Sequence, residues 1–124
     1  LPELLAFYRE RGHLLVPNFG RTRELHLWTL ELRELWRTRE LPRPLLDSLD
    51  DLAFPFDDAQ LSWERSFAGV ASLMRRQRRL PPPGTPLGRW VLSQLALADL
   101  GKLEPARSGR LKALVRSGNG RRSQ

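Results

Sequence analysis

Four arginines in five positions, Arg75-Arg76-Gln77-Arg78-Arg79, are the densest concentration of one chemistry in this chain. Each guanidinium is a planar fork of donors that matches phosphate or carboxylate oxygens. Held this close, four of them repel one another unless something offsets the charge. Two accounts fit. A helix that ends here accepts cations, because its last carbonyls carry partial negative charge, and the arginines are then solvated surface. Alternatively, the cluster is a phosphate clamp, steadied by the stiff run Pro81-Pro82-Pro83-Gly84 beside it. Arg89, Lys102, Arg107, Arg110, Lys112, Arg116, Arg121 and Arg122 lie in the same half and add positive charge.

The other reactive residue types form no set. His13 and His26 are the two histidines, and neither stands at a spacing that joins a nucleophile or a carboxylate pair. His13, after Gly12, is expected to cap a helix end or bond its loop. The chain has no cysteine, so a metal site would need both histidines and scattered carboxylates, and none is expected. Asp47, Asp50, Asp51, Asp57 and Asp58 match no calcium-loop spacing and read as helix caps and solvated surface. Gly84, Gly88 and Gly101 do not form a phosphate-cradling fingerprint, and there is no Walker-type lysine. The residues therefore imply neither an enzyme nor a cofactor.

Charge placement says more than total charge. The net charge is +7, and arginine far outnumbers lysine, a bias that a GC-rich genome also produces. Genome composition does not explain the distribution. Residues 1–58 hold 8 basic and 11 acidic residues, net −3, whereas residues 59–124 hold 13 basic and 3 acidic, net +10. That asymmetry points to a polyanionic partner for the second half. No apolar run approaches the ~20 residues a membrane span requires, so no membrane partner is expected.

The elements that must position the arginines come twice. Leu25-x-x-Trp28-x-Leu30 recurs 62 residues later as Leu87-x-x-Trp90-x-Leu92. Leu35, Leu41, Leu49 and Leu52 recur as Leu97, Leu103, Leu111 and Leu114, and Val16-Pro17 is answered by Leu80-Pro81. A pattern that keeps large apolar residues while polar ones drift is a repeated packing unit. Apolar residues at steps of three and four make each copy three helices, and no stretch alternates long enough to demand a sheet. Gly12 closes the first helix, the second runs from about Glu24 to Arg39, and Pro42 and Pro44 start the third. Asp57 or Asp58 caps the fourth, Thr85-Pro86 starts the fifth, Gly101 ends it, and a last helix lies near 104–116. The fold expected is all-α, two consecutive three-helix bundle repeats: an acidic one over 1–58, a basic one over 59–116, and a flexible basic tail over 117–124. Trp28, Trp90, Leu25 and Leu87 lie on apolar stripes and are expected in the core rather than stacked on bases. Trp36, Trp63 and Tyr8 are read the same way.

This pattern resembles the helicase-associated domain family, tandem three-helix repeats of bacterial and algal helicase-like proteins. The first copy carries Tyr8, Gly12-His13, Val16-Pro17, Leu25-x-x-Trp28, Leu49, Leu52 and Phe54. The second carries Trp63, Phe67, Leu80-Pro81, Leu87-Gly88-Arg89-Trp90, Leu111 and Leu114. It departs where Arg76-Gln77 replaces Gly12-His13 and where His26 stands for the family glycine. The family's opening tryptophan would fall just before Leu1, as in a chain cut inside its first repeat. The resemblance implies an accessory module that touches DNA or RNA, with any motor outside this chain. The contact residues expected are Arg75, Arg76, Arg78, Arg79, Arg89, Lys102, Arg121 and Arg122. Docking on a helicase motor or another protein is the other partner expected, and a protein-interaction or spacer module is the alternative function. Such a module would work in the cytoplasm or at the nucleoid, with an organelle also open.

Overall fold

A computed structural model describes residues 1–122, with side chains through Ser117. Among these residues it is all-α. The helices are α1 (Pro2–Arg11), α2 (Arg23–Arg37), α3 (Arg43–Asp51), α4 (Asp58–Gln77), α5 (Pro86–Asp99) and α6 (Pro105–Arg122), with one 3₁₀ turn at Gly20–Thr22. Two compact units divide at Arg65 and Ser66, inside α4. The charge-based boundary expected at 58/59 thus falls seven residues before the structural one, at the start of α4 rather than within it. Helix α6 continues to Arg122, past the point where the tail was expected to begin. The side chains from Gly118 onward, Arg121 and Arg122 among them, lie outside the described residues, as do Ser123 and Gln124 altogether.

The helix starts follow local chemistry. Asp57 and Gln60 cap α4 reciprocally: the Gln60 N–H donates to Asp57 Oδ1 at 2.8 Å, and Gln60 Oε1 accepts from the Asp57 N–H at 3.3 Å. Gln60 Oε1 also accepts from the Phe56 N–H at 2.8 Å. Thr85 caps α5, its hydroxyl accepting from the Gly88 N–H at 3.1 Å while donating to the Pro82 carbonyl at 2.7 Å. Pro86 then occupies the first helical turn, where a missing N–H costs nothing.

The helix ends correspond between the units. Helix α1 closes on Gly12, left-handed at φ 78°, whose N–H bonds the Tyr8 carbonyl. Helix α4 closes on Arg78, left-handed at φ 58°, whose N–H bonds the Met74 carbonyl. Helix α5 ends on Gly101 and α2 on Arg39, 62 residues earlier, both left-handed and both with the paired bonds of a Schellman motif. Each matched position thus carries glycine in one unit and arginine in the other. Because α4 runs to Gln77, the partner of Gly12 is Arg78, two residues later than the sequence pairing with Arg76.

The first unit is built around Leu4, Phe7, Leu14, Val16, Leu32, Leu49, Phe54 and Phe56, all buried, with Leu25 and Trp28 packed against them and partly exposed. Its one fully buried carboxylate, Glu64, accepts from the Leu14 N–H at 2.7 Å. Arg33 reaches the Pro55 carbonyl at 2.9 Å and lies over the Phe54 ring at 5.2 Å. Burial lowers its pKa from the ordinary arginine value, and the Glu64 charge opposes that shift. The second unit centres on Val70, Met74 and Val91, with Leu80, Leu87, Trp90, Leu95, Leu114 and Val115 around them.

Replacing Glu64 with alanine removes the acceptor of a buried N–H. Unfolding in urea should then show a loss of about 1–3 kcal/mol. An unchanged midpoint would mean that Leu14 finds another acceptor and that the carboxylate does not stabilise the unit.

Candidate functional site

The arginine run is divided by the end of α4. Arg75 and Arg76 sit on the last turn, Arg78 is the left-handed closing residue, and Arg79 opens the connector to α5. All four are exposed, and none pairs with a carboxylate of a described residue. Cations on the last turn are favoured by the helix carbonyls, but that effect fades beyond the turn and does not reach Arg79. Arg89, also exposed, lies near the start of α5.

The connector is pinned to α5 by two devices. The first is the Thr85 cap, which ties the Pro82 carbonyl to the Gly88 N–H through one hydroxyl. The second is steric. A side chain at Gly88 would place its Cβ 1.9 Å from the Pro82 carbonyl oxygen and 2.7 Å from the carbonyl carbon, so only glycine admits this approach. Between the end of α4 and the start of α5 lies a pocket of about 440 Å³, lined by Leu73, Gln77, Arg79, Pro81, Pro82, Thr85, Pro86 and Leu87. Arg79 therefore belongs both to the cationic run and to the wall of an apolar pocket. The proline run, expected from the sequence as a stiff connector that steadies the arginines, also lines this pocket. Leu73, two residues before the arginine run, is the apolar signal the sequence offers for it.

Among the described residues of this unit, Lys102 and the buried Arg107 and Arg110 stand apart from this group. Lys102 follows Gly101 at the far end of α5, a helix of 14 residues and so about 21 Å long. Lys112 and Arg116 are exposed on α6. Arg107 and Arg110, which add to the positive charge of this half, are buried, only 5% and 9% exposed. Arg107 is paired with Glu104, and Arg110 lies over the Phe67 ring at 4.6 Å. A delocalised guanidinium is weakly hydrated and stacks on aromatic faces, so it tolerates this burial. The helical spacing of Arg107 with Leu111 and Leu114 placed it on the core face and was readable in advance.

Trp28 and Trp90 pack at the margins of their cores, and Leu25 and Leu87 lie beside them. Trp36 is 36% exposed and stacks face to face on Phe56, with ring centroids 5.3 Å apart. His13 is buried, accepts from the Leu15 N–H at 3.1 Å, and meets Phe7 edge-on. His26 donates from Nδ1 to the Val16 carbonyl at 2.9 Å. Among the described residues, no three His, Asp or Glu side chains gather where a metal could sit. No helix there is long and apolar enough to cross a membrane.

Comparisons with protein-family models, curated proteins and solved structures gave no match.

Two substitutions probe the architecture of the site. Gly88→Ala should destabilise the chain by about 1–3 kcal/mol in thermal or urea unfolding, because backbone must move to admit one methyl group. Arg78→Gly should stabilise it by about 1 kcal/mol by relieving the left-handed conformation. A loss of stability in Arg78→Gly would show that the arginine side chain makes a contact worth more than the strain.

Proposed function

We propose that this chain is a non-catalytic nucleic-acid-binding module, an accessory part of a helicase-like or other DNA- or RNA-processing protein. It grips phosphates through Arg75, Arg76, Arg78 and Arg79, with Arg89 beside them. The observation that carries the reading is four exposed guanidiniums without carboxylate partners among the described residues, set on a helix end and a connector that is itself fixed to the next helix. Arginine's fork suits phosphate oxygens, and such contacts give affinity with little base preference. The resemblance to helicase-associated repeats points the same way. Arg107 and Arg110, buried in the second unit, add no phosphate contacts to this set.

Fluorescence anisotropy with labelled DNA and RNA across a salt series tests this. Five engaged cations give a slope of log affinity against log salt of about −4.5 on duplex DNA. Changing Arg75, Arg76, Arg78 and Arg79 together to alanine should flatten that slope by about 3.6 and remove most of the affinity. Equal binding by that variant would refute the clamp.

A second reading, docking of a basic protein segment, is favoured by a groove in the first unit. It encloses about 640 Å³, with Phe7, Leu25 and Trp28 on its apolar wall and Glu3, Glu10 and Glu24 around it. Arg21 also lines it and weakens the negative field. If nucleic acid fails to bind at low salt, but an arginine-rich peptide binds and is lost on Glu3→Gln, Glu10→Gln and Glu24→Gln, this reading replaces the first.

A further inference from the structure

We infer that the arginine face takes single-stranded rather than duplex nucleic acid, seating one unstacked base in the pocket between the end of α4 and the start of α5. The inference rests on the phosphate-binding reading and adds the form of the ligand to it. The pocket holds about 440 Å³ and lies within the range of small-ligand sites. Leu73, Pro81, Pro82, Pro86 and Leu87 give it apolar walls. An ion, a bare phosphate or a duplex backbone has no use for such walls, because none presents an apolar face to them.

A nucleobase does. Its faces are flat and apolar, and its edge carries donors and acceptors. Thr85 is already committed, its hydroxyl donating to the Pro82 carbonyl and accepting from the Gly88 N–H. Gln77, exposed at the pocket wall, offers an amide with both donor and acceptor groups for a base edge. Arg79 lines the same pocket and continues the run through Arg78 back to Arg75 and Arg76 on α4. A base inside and its phosphates outside are therefore served by adjacent residues. In a duplex the bases are stacked and paired, and entering the pocket would require breaking both arrangements. A single strand turns a base out at little cost.

Anisotropy of the full chain with three labelled probes of equal length tests the inference: a single-stranded oligothymidylate, the same strand with abasic sites in place of its bases, and a duplex. All three are measured at one moderate salt concentration. The oligothymidylate should bind roughly tenfold tighter than the abasic strand, the scale of one base-stacking contact. It should also bind more tightly than the duplex. Gln77→Ala combined with Pro86→Ala, both exposed positions, should bring the oligothymidylate down to the abasic level, with helicity checked by circular dichroism. Equal binding of normal and abasic strands, both dependent on the arginines, overturns the pocket while leaving the phosphate reading intact. A tenfold preference that survives the double variant overturns it too, by placing base recognition elsewhere. Tighter duplex binding does the same. No binding of any probe overturns both readings.

Discussion

A backbone carbonyl that lies where a side chain would otherwise stand governs the second unit. The Pro82 oxygen occupies the space of a Cβ on Gly88, and the Thr85 hydroxyl bridges the same two residues. Without that approach the connector would have no defined path from α4 to α5. Arg79, the prolines and the pocket they line would then lose their fixed relation to the helices. The first unit holds its corresponding loop differently. His26 stands where the second unit has Gly88, and its imidazole donates to the Val16 carbonyl. Glycine works by removing bulk and histidine by supplying a donor, so one structural need is met by opposite side-chain properties.

Helix termination shows the same freedom. A left-handed closing residue is needed in both units, and glycine fills it at Gly12 and Gly101 without steric cost. Arg78 and Arg39 adopt the same backbone against their intrinsic preference, as does Ala53 at the end of α3. At Arg78 the strain accompanies an arginine inside the cationic run. Left-handed backbone also ends the helical periodicity there. The run is divided between a helix and a loop instead of being wound around one axis.

Much of this was legible in the residues. Gly12, Asp57, Thr85-Pro86 and Gly101 marked helix boundaries because each has a local mechanism that does not depend on the fold. The leucine and tryptophan stripes gave helices and an all-α class because their spacing follows one helical face. The missed features involve residues whose usual behaviour was overruled. Arg39, Ala53 and Arg78 carry no stop signal of their own, so their left-handed backbone could not be read from residue type, although the ends of α2 and α4 are expected near them. Glu64 is four residues before Ala68 and seven before Ala71, on a buried face, yet a carboxylate among apolar neighbours reads as surface until its partner, the distant Leu14 N–H, is seen. The pocket was invisible for a related reason: its lining comes from three segments that only the folded connector brings together.

The recurring leucine pair has a consequence beyond binding. Leu30 and Leu92 occupy matched positions in the repeated pattern, yet they are 47% and 54% exposed, and Phe19, Leu27 and Leu100 are exposed as well. Whatever attraction these side chains give between copies of the chain is opposed by a net charge of +7. Added electrolyte shortens the reach of that repulsion, to about 10 Å at 0.1 M salt and about 3 Å at 1 M, without weakening apolar contacts. The colloidal behaviour of the protein is thus governed by the same arginines assigned to its ligand. A polyanion that neutralised them would remove this repulsion along with the ligand-binding charge.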